Sequence, residues 1–207
     1  MQSFRLDSPR MLAVDISGDA VRASTGSMVA YTGQVQFKNA GMGGGDGFMA
    51  GLKRRATGES LPLMTCSGSG TVWFAKDAMD VILVELAGDT LKAESEQLLA
   101  LSDKLTTDVT FAGVRGMSSG QGLFTTSVTG YGTVALLSAG GPPIALEVRP
   151  EYPLVVDKDA FVASRGQLNQ TVVTDVSWRN LIGESSGEAF SLRFDGQGVV
   201  YIQPEER

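Results

Sequence analysis

One glycine-bracketed motif occurs three times in this chain. Gly68-Ser69-Gly70-Thr71-Val72, Gly130-Tyr131-Gly132-Thr133-Val134 and Gly196-Gln197-Gly198-Val199-Val200 each follow an apolar run, 62 and 66 residues apart. Self-similarity at a nearly fixed period marks a repeated supersecondary unit, and it constrains the fold more than any single residue does. Two further elements keep the same order. Met28-Val29-Ala30, Leu98-Leu99-Ala100 and Phe161-Val162-Ala163 close one of them, reached from Val21-Arg22-Ala23, Leu91-Lys92-Ala93 and Leu154-Val155-Val156 respectively. An apolar–acid–apolar triplet forms the other, as Val14-Asp15-Ile16, Val84-Glu85-Leu86 and Leu146-Glu147-Val148.

These segments are short and alternating, and turn residues bound them, which is the pattern of half-buried strands. Glycine in the Gly-x-Gly corners supplies a positive φ or a close backbone approach. The 26 glycines fit many tight turns better than long helices, and 43% apolar residues suffice for a core. The expected fold is therefore all-β with little helix. It is one domain over residues 1–207, divided roughly into units 1–73, 74–135 and 136–207. A unit of this size closes its own sheet edges poorly, so the three are expected to bury a shared core about a pseudo-threefold axis. Helix is expected only at residues 75–79 and in a short turn over residues 95–99.

The absence of histidine removes Ser-His-Asp and Cys-His nucleophilic sites and the usual zinc ligand sets. Cys66 is the single cysteine. In the repeat register it falls where Val128 and Phe194 stand, so it reads as a core thiol rather than a reactive one. Asp15, Glu85 and Glu147 could pair for acid–base work or hold a hard cation. Each lies between apolar neighbours in an alternating strand, which turns it toward solvent instead. Trp73 shares its slot with Ala135 and Tyr201, a packing position rather than a base-stacking platform. No catalytic residue, metal or cofactor is expected. A net charge of −6 opposes general binding to nucleic acid. The Met1-Gln2-Ser3-Phe4-Arg5 start has no apolar signal region, and no apolar run approaches the roughly 20 residues of a spanning helix. The expected location is cytoplasmic, with a peripheral membrane association as the variant.

One stretch is not shared by the three units. Residues 41–55 are rich in glycine and carry Met42, Phe48, Met49 and Leu52, followed directly by Lys53, Arg54 and Arg55. The spacing fails the phosphate-loop pattern, because Arg54 stands where Ser or Thr is needed. Apolar residues beside a basic cluster suit a protein partner or an anionic membrane surface. Those seven residues are the candidate interaction loop. The alternative is that the apolar members fold back on the domain and the cations are solvated.

The order of these features resembles the family of altered inheritance of mitochondria protein 24. The residues that carry the resemblance are the 41–51 glycine stretch running into Leu52-Lys53-Arg54, then Gly58-Glu59-Ser60 and Gly130-x-Gly132-Thr133-Val134. They continue with Leu154-Val155-Val156-Asp157 before Val162-Ala163, and with the ending Gly198-Val199-Val200-Tyr201-Ile202-Gln203. The resemblance implies a TRAP-like β fold of double-stranded β-helix or jelly-roll-like units, similar to the tryptophan RNA-binding attenuation protein. It also implies a family whose eukaryotic members are associated with the mitochondrial inner membrane. It brings over no catalytic residues. The expected function is a non-enzymatic scaffold or binding protein that forms homo-oligomers. Docking through the 41–55 loop is the alternative, and a small-ligand or RNA role by fold analogy comes third.

Overall fold

A computed structural model describes residues 2–39, 63–112, 123–173 and 191–204. Twelve strands follow one another: β1 (Ser3–Ser8), β2 (Met11–Ser24), β3 (Met28–Asn39), β4 (Leu63–Phe74), β5 (Asp80–Glu94), β6 (Leu98–Ser102), β7 (Thr106–Ala112), β8 (Leu123–Ser138), β9 (Ile144–Val148), β10 (Leu154–Asp157), β11 (Phe161–Val173) and β12 (Ser191–Ile202). They form one antiparallel sheet in the order β10-β12-β11-β5-β8-β6-β2-β4-β3, with β1 on β2, β7 on β8 and β9 on β12. The all-β expectation holds. Among the described residues the helical content is a single 3-10 turn at Ser95–Gln97, inside the span where a short turn was expected.

The helix expected at residues 75–79 is absent. Asp77 and Ala78 instead take left-handed φ values of 51° and 55°, and the Met79 amide donates to the Lys76 carbonyl at 3.0 Å. Five residues cannot repay the cost of nucleating a helix when long strands fix both ends.

The long strands keep an apolar face by means of bulges. Ile16 and Val21 are both buried, yet a spacing of five would place them on opposite faces of a regular strand. One extra residue enters β2 between Ser17 and Ala20, against Ser69 and Ser67 of β4, and restores the phase. β5 repeats the device between Ala87 and Thr90, which returns Leu91 to the face of Leu86. In the third case the chain leaves the sheet after β9 through a turn bridged by Arg149 and Tyr152, and β10 resumes the pairing on β12. A second bulge recurs at the start of β3, β6 and β11. There the steps from Met28 to Ala30, Leu98 to Ala100 and Phe161 to Ala163 each oppose a single step on the partner strand.

The Gly-x-Gly corners lie at the middle of β4, β8 and β12. Gly70 pairs with Gly33, and a Cβ built on Gly70 would overlap the Thr32 carbonyl oxygen. Gly132 is less tightly held; its Cβ would lie 2.8 Å from that of Ser102, where β6 ends. The corners thus serve close backbone approach, as their composition suggested.

The buried apolar residues divide into three clusters along the sheet, not the one shared core expected. The first gathers Leu12, Val14, Cys66, Val72 and Phe74 and takes in Leu99 and Ala100 from β6. The second centres on Leu91, Leu101, Val128 and Val134 and takes in Val162 and Ala163. The third holds Val148, Val156, Phe161, Leu192, Phe194 and Val200. Burial of each such side chain stabilises by roughly 1.5–3 kcal/mol.

Candidate functional site

The threefold acids sit on the solvent face of their strands. Asp15 accepts from Thr71 Oγ1 at 2.7 Å and from the Arg5 guanidinium. These two bonds, the threonine hydroxyl first, hold its carboxyl below the usual carboxylate range. Glu85 repeats the arrangement, accepting from Thr133 Oγ1 at 2.7 Å. Glu147 cannot, because Val199 fills the threonine slot opposite it, and it accepts from Arg149 at 2.7 Å instead. The carboxylates are held on three separate strand pairs, each engaged by its own neighbours. Asp15 and Glu85 thereby lock cross-strand pairs, Glu147 pairs with a residue of its own segment, and no two of the three face a common substrate.

Cys66 is fully buried, beside β2 and β3, in the position that Val128 and Phe194 take elsewhere; those two are equally buried. Burial pushes its thiol up to about 11. A thiol so placed packs as a small apolar side chain and holds little thiolate near neutral pH. Trp73 lies partly buried in β4, and its indole N–H donates to Asp7 Oδ2 at 2.6 Å, which ties β1 to β4 across β2. Ala135 is buried at the matching place and Tyr201 partly so, which agrees with packing positions.

The candidate loop residues Met42, Phe48, Met49, Leu52, Lys53, Arg54 and Arg55 lie outside the described residues. Their attachment is described. Asn39 pairs with Met64, so residues 40–62 leave and re-enter the sheet from adjacent strands. Residues 113–122 and 174–190 connect paired ends in the same way, at Ala112–Leu123 and Val173–Ser191.

Sequence reasoning did not single out the outer strand β3. Tyr31 and Phe37 meet edge to face there, with ring centroids 5.2 Å apart, and both stay exposed. An open depression beside them is lined by Gln34, Val35, Gln36, Ser67 and Ser69 over the missing side chain of Gly68. The only signal in the sequence was the unusual Val29-Ala30-Tyr31 run without a flanking charge. Two arginines lie where β5 meets β11 and β2 meets β6. Arg165 of β11 donates to Asp89 Oδ2 at 2.5 Å, and Arg22 of β2 donates to the Leu105 carbonyl.

Comparison with known proteins adds the family. No curated protein matches the chain. The crystal structure of protein SPYM3_0169 from Streptococcus pyogenes is similar over 100% of this chain and 94% of that one, with a TM-score of 0.78 and 21% identity. At that identity the likeness establishes the fold. A family model described as Mitochondrial biogenesis AIM24 matches residues 4–205. Covered almost end to end by that model, the chain belongs to the mitochondrial biogenesis AIM24 family.

Proposed function

We propose that this protein is a non-enzymatic scaffold that assembles with copies of itself, in the cytoplasm or against a membrane surface, from three repeats in a TRAP-like arrangement. One observation carries the reading. The sheet ends on β3 and β10, and both ends present exposed apolar residues, Val29 and Tyr31 on one and Val155 on the other. An unpaired apolar edge is a template for another strand. The positions that first suggest chemistry support the same reading, because Asp15 and Glu85 brace strand pairs and Cys66 packs the core. Size-exclusion chromatography with light scattering from about 1 to 100 μM, a range typical of specific association, tests it. A defined oligomer is the expected result, and a strictly monomeric chain throughout would refute the scaffold.

A second reading assigns partner or lipid docking to the 41–55 loop. It is favoured by the sequence, in which the apolar residues run directly into the basic triplet between strands that pair at Asn39 and Met64. Co-sedimentation with vesicles rich in anionic lipid, with and without replacement of Lys53, Arg54 and Arg55 by alanine, tests the lipid version. Loss of binding on replacement supports it, and equal sedimentation of both chains removes the triplet from the mechanism.

A further inference from the structure

Two joints inside the chain follow one pairing rule. In the first, β2 meets β6 with Ala23 opposite Ala100, Arg22 opposite Leu101 and Val21 opposite Ser102. In the second, β5 meets β11 with Ala93 opposite Ala163, Lys92 opposite Ser164 and Leu91 opposite Arg165. Both receiving strands enter the joint just after a bulge, at Leu99 and at Val162.

The chain holds a third copy of each half, and these two copies do not pair with each other. Leu154, Val155 and Val156 of β10 lie on β12 in the register that Val21, Arg22 and Ala23 keep on β4 and that Leu91, Lys92 and Ala93 keep on β8. The matched partners are Phe194, Cys66 and Val128. Met28, Val29 and Ala30 open β3 with the same bulge as the other two receiving strands. Yet β10 and β3 are the opposite ends of the sheet. Burial marks the difference. Leu99, Ala100, Val162 and Ala163 are 0% exposed, whereas Val29 is 57% exposed and Ala30 is exposed as well. The core records it too. The first two clusters each draw a bulge residue and its alanine from the following unit, and the third has no following unit to draw on.

Resting on the scaffold reading above, we infer that β3 of one copy pairs with β10 of a second copy. The register follows the in-chain rule: Ala30 opposite Val156, Tyr31 opposite Val155, and Thr32 opposite Leu154. The joint is antiparallel and head to tail, and Val29 and Ala30 of the first copy complete the third core cluster of the second. Because its two faces differ, it propagates from copy to copy and closes into a ring when the rotation per copy divides a full turn.

Two measurements on the full chain test it. Val29→Lys and Ala30→Lys each place a charge where the in-chain joints are dry, but at positions that are exposed in the single chain. Each should keep the circular dichroism of the parent and raise the concentration needed for assembly at least tenfold. Tyr131→Lys, at a residue 76% exposed and outside the joint, should leave assembly unchanged. Separately, a Tyr31→Cys chain and a Val155→Cys chain are mixed and oxidised; directly opposed strand positions lie about 4.5–5.5 Å apart, within disulfide reach. Mixed dimers are expected, with few homodimers of either chain. If the parent assembles but the lysine variants assemble equally well, or if homodimers predominate, the edge assignment fails while the scaffold reading stands. An intrachain disulfide in monomeric Tyr31→Cys/Val155→Cys protein also overturns it, since the chain would then be closing its own ends. A monomeric parent overturns both readings.

Discussion

Asp15 shows how little of an ionisable residue's role its type discloses. Its side chain is 45% exposed, and the Thr71 hydroxyl and Arg5 guanidinium hold its carboxyl below the ordinary value. A folded value below the unfolded one near 3.8 means that the unfolded chain binds the proton more readily. The stabilisation is therefore complete above the unfolded value and is lost as pH falls through the lower folded one. Asp89 acts in the same sense; burial raises its carboxyl, but the Ala87 amide and Arg165 outweigh that and lower it overall. Thermal unfolding followed from roughly pH 6 to pH 2, the window in which paired carboxylates protonate, should show a midpoint that falls with acidification. Asp15→Asn should flatten part of that slope and cost little at neutral pH, as exposed pairs do. An unchanged acid slope would deny Asp15 this part. Cys66 makes the complementary case. With its thiol pushed up to about 11 and no exposed surface, it should resist a thiol reagent at pH 8 and react fully in denaturant. Rapid labelling of the native chain would contradict the burial.

At the scale of the strand, the glycine corners carry the steepest prediction. Gly70 has φ 154°, and an added Cβ would meet the Thr32 carbonyl oxygen, which is backbone and cannot step aside. Gly130 has φ 130°, but its Cβ would first meet Leu105 Cδ2 at 3.4 Å, the end of a flexible side chain. Both substitutions strain the backbone, and only the first adds a backbone collision. Gly70→Ala should cost about 3 kcal/mol or more and Gly130→Ala about 1–2 kcal/mol, read as shifts of the urea midpoint. Equal losses would mean that φ alone matters. The corners were legible in the sequence because a missing Cβ leaves a compositional mark at a fixed place. The bulges were half legible: buried Ile16 and Val21, or Leu86 and Leu91, five apart, betray a phase slip only once both are known to face inward. The joints were not legible at all. Ala23 meets Ala100 across the width of a unit, and a pairing between residues so distant leaves no local periodicity. The helix expected at residues 75–79 failed for a related reason, since local propensity there yields to the strands on either side. Of the candidate site, the outward turn of the acids and the inward turn of Cys66 followed from strand alternation. The exposed edge at Val29 and Tyr31 did not, because the same slot is buried in the other two units.

For the whole molecule, the three clusters are unequal in a way that fixes an order of opening. The first is closed by β6 and the second by β11, while the third ends at β10 with Val155 51% exposed. Regions with fewer buried apolar contacts open first, and amide exchange reports them. In dilute solution β9, β10 and β12 should therefore exchange faster than β2 and β4. Assembly through β3 and β10 would supply the missing side of the third cluster, and a partner that binds only the folded form stabilises by mass action. Protection of β10 and β12 should then rise as the chain is concentrated from roughly 0.1 to 50 μM, a span that brackets micromolar association. The new hydrogen bonds should protect the first residues of β3 over the same range, and β5 and β8, which lie away from the third cluster and from both ends of the sheet, should not change. Hydrogen exchange with mass spectrometry at the two concentrations separates this from general crowding of the sample, which would slow all strands together. Exchange in β10 and β12 that ignores concentration while light scattering reports an oligomer would place the contact elsewhere on the sheet. Concentration-dependent protection confined to β3, β10 and β12 would tie the least complete core cluster of the chain to the surface that joins one copy to the next.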